Sequence, residues 1–502
     1  MRARRNGLFD EPCPSQAETL HYLFAFVSMF VSLLVQTLIV VPVAHPTSVW
    51  SENAHTVRWV RINFGKCVLR VNIPILIAIA ALAIGPFSVA NEQIGGPIKV
   101  EVVETESGFQ VLRDGKPYFV KGAGATGIDY GTVAENGGNS IRTWAVDMAL
   151  DKLDAAHRHG LTVALCLPVV SERFGFDYDN SERVQEQFEL MESIVLRYKD
   201  HPALLAWIVG NELNYGMRNP RVYDAVNDIS KRIHEIDPFH PTTTTVAGAD
   251  PNIVRILKRH APDLDYISIQ LYGAIADLPK YARSSLRDVP FMITEWGPLG
   301  HWEIAMTPWN APIEHTSSEK AQRVAETYSD LILPNNRNLL GSNIFFWGQK
   351  QERTPTWYSM FLESGEPTEV VDVMYYIWNG EWPDNRAPAI SRITVGGKNA
   401  YDGIRLTVGK TYDSKVEVQD PDGDPVTFLW TLKNESDSTG EGGDFEESID
   451  DIPLLISDRF ESTAKLTAPS SPGKYRIFVY AYDDQGNAAH ANAPMLVENE
   501  PQ

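Results

Sequence analysis

The sequence has little cysteine: three in 502 residues, at Cys13, Cys67 and Cys166. Two of these fall in an N-terminal segment with the marks of a leader, and once that is removed Cys166 has no partner for an internal disulfide. Positive charge is also scarce, with 44 Lys and Arg against 65 Asp and Glu and a formal net charge of −21. Such a field repels polyanions, so nucleic acid is not expected as a partner. No complete EF-hand loop occurs. The acidic turn "DPDGDP" at 420–425 lacks the full ligand spacing and reads as solvated, so neither a metal nor a cofactor is expected.

What is present is an apolar fraction of 43%, enough for a substantial core and two or three domains. The first ninety residues differ from the rest. Residues 22–44, "YLFAFVSMFVSLLVQTLIVVPVA", carry no charge and are long enough to cross a bilayer. A second apolar run, residues 73–90, follows Arg58, Arg61, Lys66 and Arg70 and ends in Ser88-Val89-Ala90, the pattern of a secretory signal peptide. Two such signals in series fit a membrane-anchored protein with two spans, or a chain whose translation starts between the runs. The expectation is an exported protein, periplasmic, at the cell surface or extracellular, cleaved after Ala90, with membrane association through the N-terminal segment as the alternative.

From Gly96 onward short apolar runs alternate with helical stretches. A hairpin is expected over 102–118, turning at Asp114-Gly115. Eight strands follow, at 119–125, 140–146, 162–169, 204–212, 242–248, 266–273, 291–297 and 342–348. Segments between them, such as "SERVQEQFELMESIVLRYKD", have apolar residues at helical spacing. Eight alternations over this length predict an α/β fold of the (β/α)8 TIM-barrel type. A doubly wound open sheet competes, because "GAGATGIDYG" contains GxGxxG at Gly122, Gly124 and Gly127, with Asp147 at the distance a dinucleotide site wants. The glycine-broken stretch that follows offers no good helix to hold a pyrophosphate.

In such a barrel, chemistry belongs at the C-terminal strand ends. Those ends carry Arg142 and Trp144 on strand two, Asn211 and Glu212 on strand four, Gln270 and Tyr272 on strand six, Glu295 and Trp296 on strand seven, and Trp347 on strand eight. Two glutamates facing each other across the mouth are what glycoside hydrolysis requires, one carboxyl protonating the leaving oxygen and the other attacking or stabilising the sugar cation. Trp296, Trp302, Trp309, Trp347 and Trp357 cluster after strands seven and eight, and indoles offer flat faces to sugar rings. His301 and His315 either bond sugar hydroxyls or decorate these loops.

"WIVGNE" at 207–212 and "ITEWG" at 293–297 resemble the acid/base and nucleophile strands of the clan A retaining glycoside hydrolases, which include families 2 and 5. The resemblance spans roughly 100–382. It implies Glu212 as general acid/base, Glu295 as nucleophile, and Asn211 as the partner of the sugar 2-hydroxyl. It further implies that Arg142 keeps the nucleophile ionised, that Tyr272 donates to it, and that Trp347 floors the sugar subsite. Family 2 enzymes usually carry a jelly roll and an immunoglobulin-like domain before the barrel, and the strand-three end "LCLPVV" lacks the usual histidine or asparagine. A barrel followed by a β-sandwich looks more like the endo-β-1,3-glucanases of family 158.

After "WPDNRAPAIS" the runs "GIRLTVG", "SKVEVQD", "VTFLWTL", "AKLTAPS" and "KYRIFVYAYDD" predict an immunoglobulin-like sandwich. The expected organisation is N-terminal signal or membrane segments over 1–95, a catalytic barrel over 96–385 and a sandwich over 386–502. The expected activity is a retaining glycoside hydrolase on a β-linked polysaccharide or oligosaccharide, an endo-β-glucanase first. An exo-β-glycosidase or transglycosylase of the same fold is the nearest alternative, and a non-catalytic carbohydrate-binding surface protein the next; the paired glutamates oppose the last.

Overall fold

The computed structural model describes residues 59–64, 67–72, 95–438 and 442–500. The apolar runs at 22–44 and 73–90 lie outside these residues. Among those described, no helix is long and apolar enough to cross a membrane. The chain divides into two units, Met1–Asn91 and Glu92–Gln502. In the first, Trp59–Phe64 pairs antiparallel with Cys67–Asn72.

The second unit is built on a closed barrel of eight parallel strands: Val120–Gly124, Ser140–Arg142, Thr162–Leu167, Leu204–Val209, Thr242–Ala247, Tyr266–Gln270, Phe291–Trp296 and Leu339–Ile344. All eight fall where the alternation places them, and closure excludes the doubly wound sheet. Strands covered on both faces need apolar side chains on both, which is why "LLAWIV" runs without alternation and is buried throughout. The eighth strand starts three residues before the expected point, at Leu339, which pairs with Phe291. Two of the GxGxxG glycines, Gly122 and Gly124, have a packing explanation. A Cβ on Gly122 would stand 2.0 Å from Asn343 Oδ1, and one on Gly124 would stand 2.8 Å from the Trp144 ring. These two glycines therefore clear space inside and at the mouth of the barrel, Gly127 instead takes a positive φ of 76°, and the helix that follows, Gly131–Glu135, is only five residues long.

The expected hairpin is a three-stranded sheet, Val100–Thr105, Gly108–Arg113 and Lys116–Pro117. Asp114 and Gly115 both have positive φ, 53° and 69°, as a two-residue turn between right-twisted strands requires. Val100 and Val111 pack with Val120, Leu205, Met292 and Leu340 at the strand starts, so this sheet closes the end of the barrel opposite the strand C-termini.

The C-terminal strands form two four-stranded sheets. One orders Arg405–Thr407, Ala488–Glu498, Gly473–Tyr482 and Thr427–Asn434; the other orders Thr394–Val395, Thr411–Lys415, Thr463–Thr467 and Ile456–Ser457. Trp430, Ile477, Val479 and Met495 lie in the core of this sandwich. The strand Ala488–Glu498 has no counterpart among the five predicted runs, because alanines replace the β-branched residues that signal a strand. Its Ala488, Ala489, Ala491 and Ala493 are buried, and His490 N donates to Ser317 Oγ at 3.0 Å, where helix Ser317–Glu326 of the barrel begins. Asn492 Nδ2 reaches Glu314 Oε2 at 2.6 Å, and Glu314 pairs with Lys320 at 2.5 Å in a buried ion pair.

Candidate active site

The fourth strand ends in a tight turn. Gly210 has φ 85°, and a Cβ there would meet Leu213 Cδ1 at 2.6 Å, so the position admits only glycine. Glu212 itself takes φ 47°, a conformation that costs a non-glycine residue about 1–2 kcal/mol. It is held there by its backbone N–H, which donates to the Thr245 carbonyl at 3.0 Å and lies 3.1 Å from Thr245 Oγ1. Strain at a strand end that aims a carboxyl into a cavity is a feature of functional positions.

Glu295 is gripped by four donors. Its Oε1 accepts from Arg142 NH1 at 2.5 Å, Trp144 Nε1 at 2.7 Å and Gln270 Nε2 at 2.8 Å, while Oε2 accepts from Tyr272 OH at 2.8 Å. Asn211 Oδ1 receives three more, from Arg142 NH2, from Thr245 Oγ1 at 2.9 Å and from Gln270 Nε2 at 2.9 Å. With its oxygen so occupied, Asn211 has its amide NH2 to offer the cavity. Arg142 is fully buried, lies 4.4 Å from the Trp144 ring centroid, and does not line the cavity. It positions Glu295 and Asn211 and does not touch a ligand there.

The two carboxyls are electrostatically unlike. Burial, and then the negative charge of Glu295, push Glu212 up to about 8; Arg142 and Arg173 only partly offset this. Burial leaves Glu295 raised above its ordinary value as well, with its direct pairing to Arg142, the Tyr272 hydrogen bond and nearby Lys350 opposing that rise. Of the two, Glu295, with a guanidinium and three neutral donors on its oxygens, is the better placed to carry the negative charge. Tyr272 is raised well above its ordinary value by burial and by Glu295, which keeps its hydroxyl a neutral donor.

These groups line a cavity of about 980 Å³, near the upper end of the roughly 300–1,000 Å³ typical of small-molecule sites. Asn211, Glu212, Tyr272 and Glu295 open onto it, with Trp144, Gln270, His301, Trp302, Phe345 and Phe346. Two expected aromatic contacts are not there. Trp296 is fully buried in the barrel core beside Tyr328, because adjacent strand residues face opposite sides and Glu295 already faces the cavity. Trp347 packs on Trp378 at 5.3 Å and donates to Thr132 Oγ1 at 2.9 Å; Phe345 and Phe346 are the strand-eight aromatics that face the cavity. Trp357 is buried, Trp309 lies by Arg405 of the sandwich, and His315 does not line the cavity. Trp144, Gln270 and Thr245 were visible as strand-end or strand residues but without a role. The signal for Gln270 is its spacing of two from Tyr272, which puts both side chains on one face.

Residues 129–297, from the first strand's loop to the end of the seventh strand, match the model of the TIM barrel domain of glycosyl hydrolases family 2. The chain is 26% identical over 192 residues to a β-glucuronidase of Chlorocebus aethiops, covering 35% of this chain and 28% of that protein. It is 28% identical over 147 residues to a β-glucuronidase of Mus musculus, covering 25% and 22%. The chain thus spans less than a third of the curated relatives it matches. A solved β-glucuronidase of Bacteroides uniformis is similar at 14% identity and TM-score 0.44, over 80% of this chain and 48% of that one.

Proposed function

We propose, from the premise that this chain carries a clan A glycoside hydrolase barrel, that it is a retaining β-glycosidase releasing terminal sugars by double displacement. The observation that carries this reading is the unequal environment of the two glutamates. Glu295, with one cation and three neutral donors on its oxygens, is the nucleophile that attacks the anomeric carbon and forms a glycosyl-enzyme. Glu212, raised to about 8, enters the reaction protonated, gives its proton to the leaving oxygen, and as carboxylate then takes one from the water that releases the sugar. The Asn211 amide donates to the 2-hydroxyl, a contact that strengthens as the sugar gains positive charge.

The matched family is family 2, whereas the family 158 resemblance and the endo-β-glucanase reading draw no support from the matches. The relatives are named for glucuronides, which makes a β-glucuronide one substrate to test. Lys350 is a cation in the cavity wall, but its Nζ already lies 2.5 Å from Glu352 Oε2, an arrangement that equally suits a neutral sugar. Proton NMR of the first product from a panel of aryl β-glycosides, glucuronide included, tests the reading. It expects release of the β-anomer; immediate release of the α-anomer refutes double displacement. Export through the run at 73–90 is also proposed, on the sequence alone, and N-terminal sequencing of the mature protein is its test.

A further inference from the structure

We infer that the β-sandwich supplies a strap, Gly442–Glu446, that crosses the barrel mouth and restricts the substrate cavity to glycan ends. This inference rests on the glycosidase reading and adds the element that sets its mode of attack.

The strap is tied to loops on opposite sides of the barrel. On one side Asp444 Oδ1 accepts from Arg173 NH2 at 3.1 Å, and Arg173 belongs to the loop after the third strand. On the other, Glu446 Oε2 accepts from the Arg353 backbone N–H at 2.8 Å, Gly443 N–H donates to Glu352 Oε1 at 3.4 Å, and Arg353 NH1 donates to the Ser438 carbonyl. Arg353 and Glu352 belong to the segment after the eighth strand. Gly442 lies against Trp302, in the loop after the seventh, so closely that a Cβ would stand 2.8 Å from the indole. Strands three and seven are four apart in a ring of eight, so a segment that touches both their loops spans the mouth and does not merely follow its rim.

The strap also forms cavity wall. Gly442 and Gly443 line the space that holds Glu212 and Glu295, along with Arg173, Trp302 and Glu352 to which the strap is tied. A polysaccharide lying across the mouth with an internal bond between the two glutamates has to pass this segment. A glycan presenting its end does not. Gly442 and Gly443 fit the role, since side chains there would intrude on Trp302 or require φ 87° of a non-glycine residue.

The test compares the natural chain with two variants, Arg353→Ala/Glu446→Ala, which removes ties outside the cavity, and a chain lacking residues 439–446. Each is assayed on the aryl β-glycoside cleaved fastest by the natural chain, and on a β-linked oligosaccharide of the same sugar blocked at its non-reducing end. Cleavage of the aryl glycoside by the double variant is expected within about threefold of the natural rate. The ratio of kcat/KM for the blocked oligosaccharide to that for the aryl glycoside should rise at least about tenfold in the shortened chain and less in the double variant. An unchanged ratio in both variants, with melting temperatures showing both folded, overturns the strap. So does a natural chain that cleaves the blocked substrate as readily as the aryl one. No hydrolysis of any aryl glycoside by any of the three overturns the glycosidase reading, and this inference with it.

Discussion

The proposed chemistry depends on how two glutamates are kept unlike. Glu295 is surrounded by Arg142, Trp144, Gln270 and Tyr272, whereas Glu212 sits on a strained turn with burial and a nearby negative charge as its main influences. In the proposed mechanism Glu212 acts protonated, and with its carboxyl pushed up to about 8, kcat/KM should fall as pH rises through about 8. Glu212→Gln should abolish that alkaline limb and lower kcat by about 10²–10⁴-fold on substrates with poor leaving groups, and far less on activated aryl glycosides. A pH–rate profile with leaving groups of graded acidity checks both. Gln270→Leu removes a donor shared by Glu295 and Asn211, and should lower kcat/KM while leaving the alkaline limb in place. At this scale the sequence was informative for residues whose type is tied to a single chemical role, and Asn211, Glu212, Tyr272 and Glu295 all open on the cavity as expected. Arg142 was legible as the partner of Glu295. Gln270 and Thr245 carry types common in any strand, and only geometry distinguishes them.

Among the elements, the eight strands were legible because doubly covered strands demand continuous apolar runs. The direction of a single side chain at a strand's end was not, since a shift of one residue turns it from cavity to core. That is how Trp296 came to face the core beside Glu295; past the end of strand eight at Ile344 the alternation no longer holds, and Phe345 and Phe346 both face the cavity while Trp347 faces the core. The strand Ala488–Glu498 was hidden because alanines, weak strand formers, fill its core face at Ala489, Ala491 and Ala493, while the intervening His490 and Asn492 reach the barrel. That contact rests on Glu314, which accepts from Lys320, Thr354, Thr356 and Asn492, all buried. Removing one member of a buried ion pair strands the other, so Lys320→Met should cost about 3–5 kcal/mol by urea denaturation. Replacing both partners with apolar residues of similar volume should cost less than Lys320→Met alone.

For the whole molecule, the join between sandwich and barrel should be sensitive to acid. Burial, and then Lys320, hold His490 down to about 3, so the folded protein keeps it neutral where the unfolded chain, at about 6.5, takes up a proton. Burial raises Glu314, but Lys320, His490 and its hydrogen bonds bring it down to about 2, below its ordinary 4.5. In both cases the unfolded chain binds more protons as pH falls, so stability present above about 6.5 is lost towards pH 3 through His490, and further between about 4.5 and 2 through Glu314. Melting temperatures between pH 7 and 4 should fall, and His490→Gln should flatten that fall. The sequence announced two folded parts, but their cooperation at one site was illegible, since nothing in "GGDFE" says which barrel loops it meets. The central claim is that Glu295 forms a covalent bond to the sugar. Incubation with a mechanism-based cyclitol or 2-fluoro-glycoside inactivator, followed by intact-mass and peptide analysis, tests it most directly: one adduct per chain on Glu295 is predicted, and an adduct on Glu212, or hydrolysis with no adduct at either residue, would contradict it.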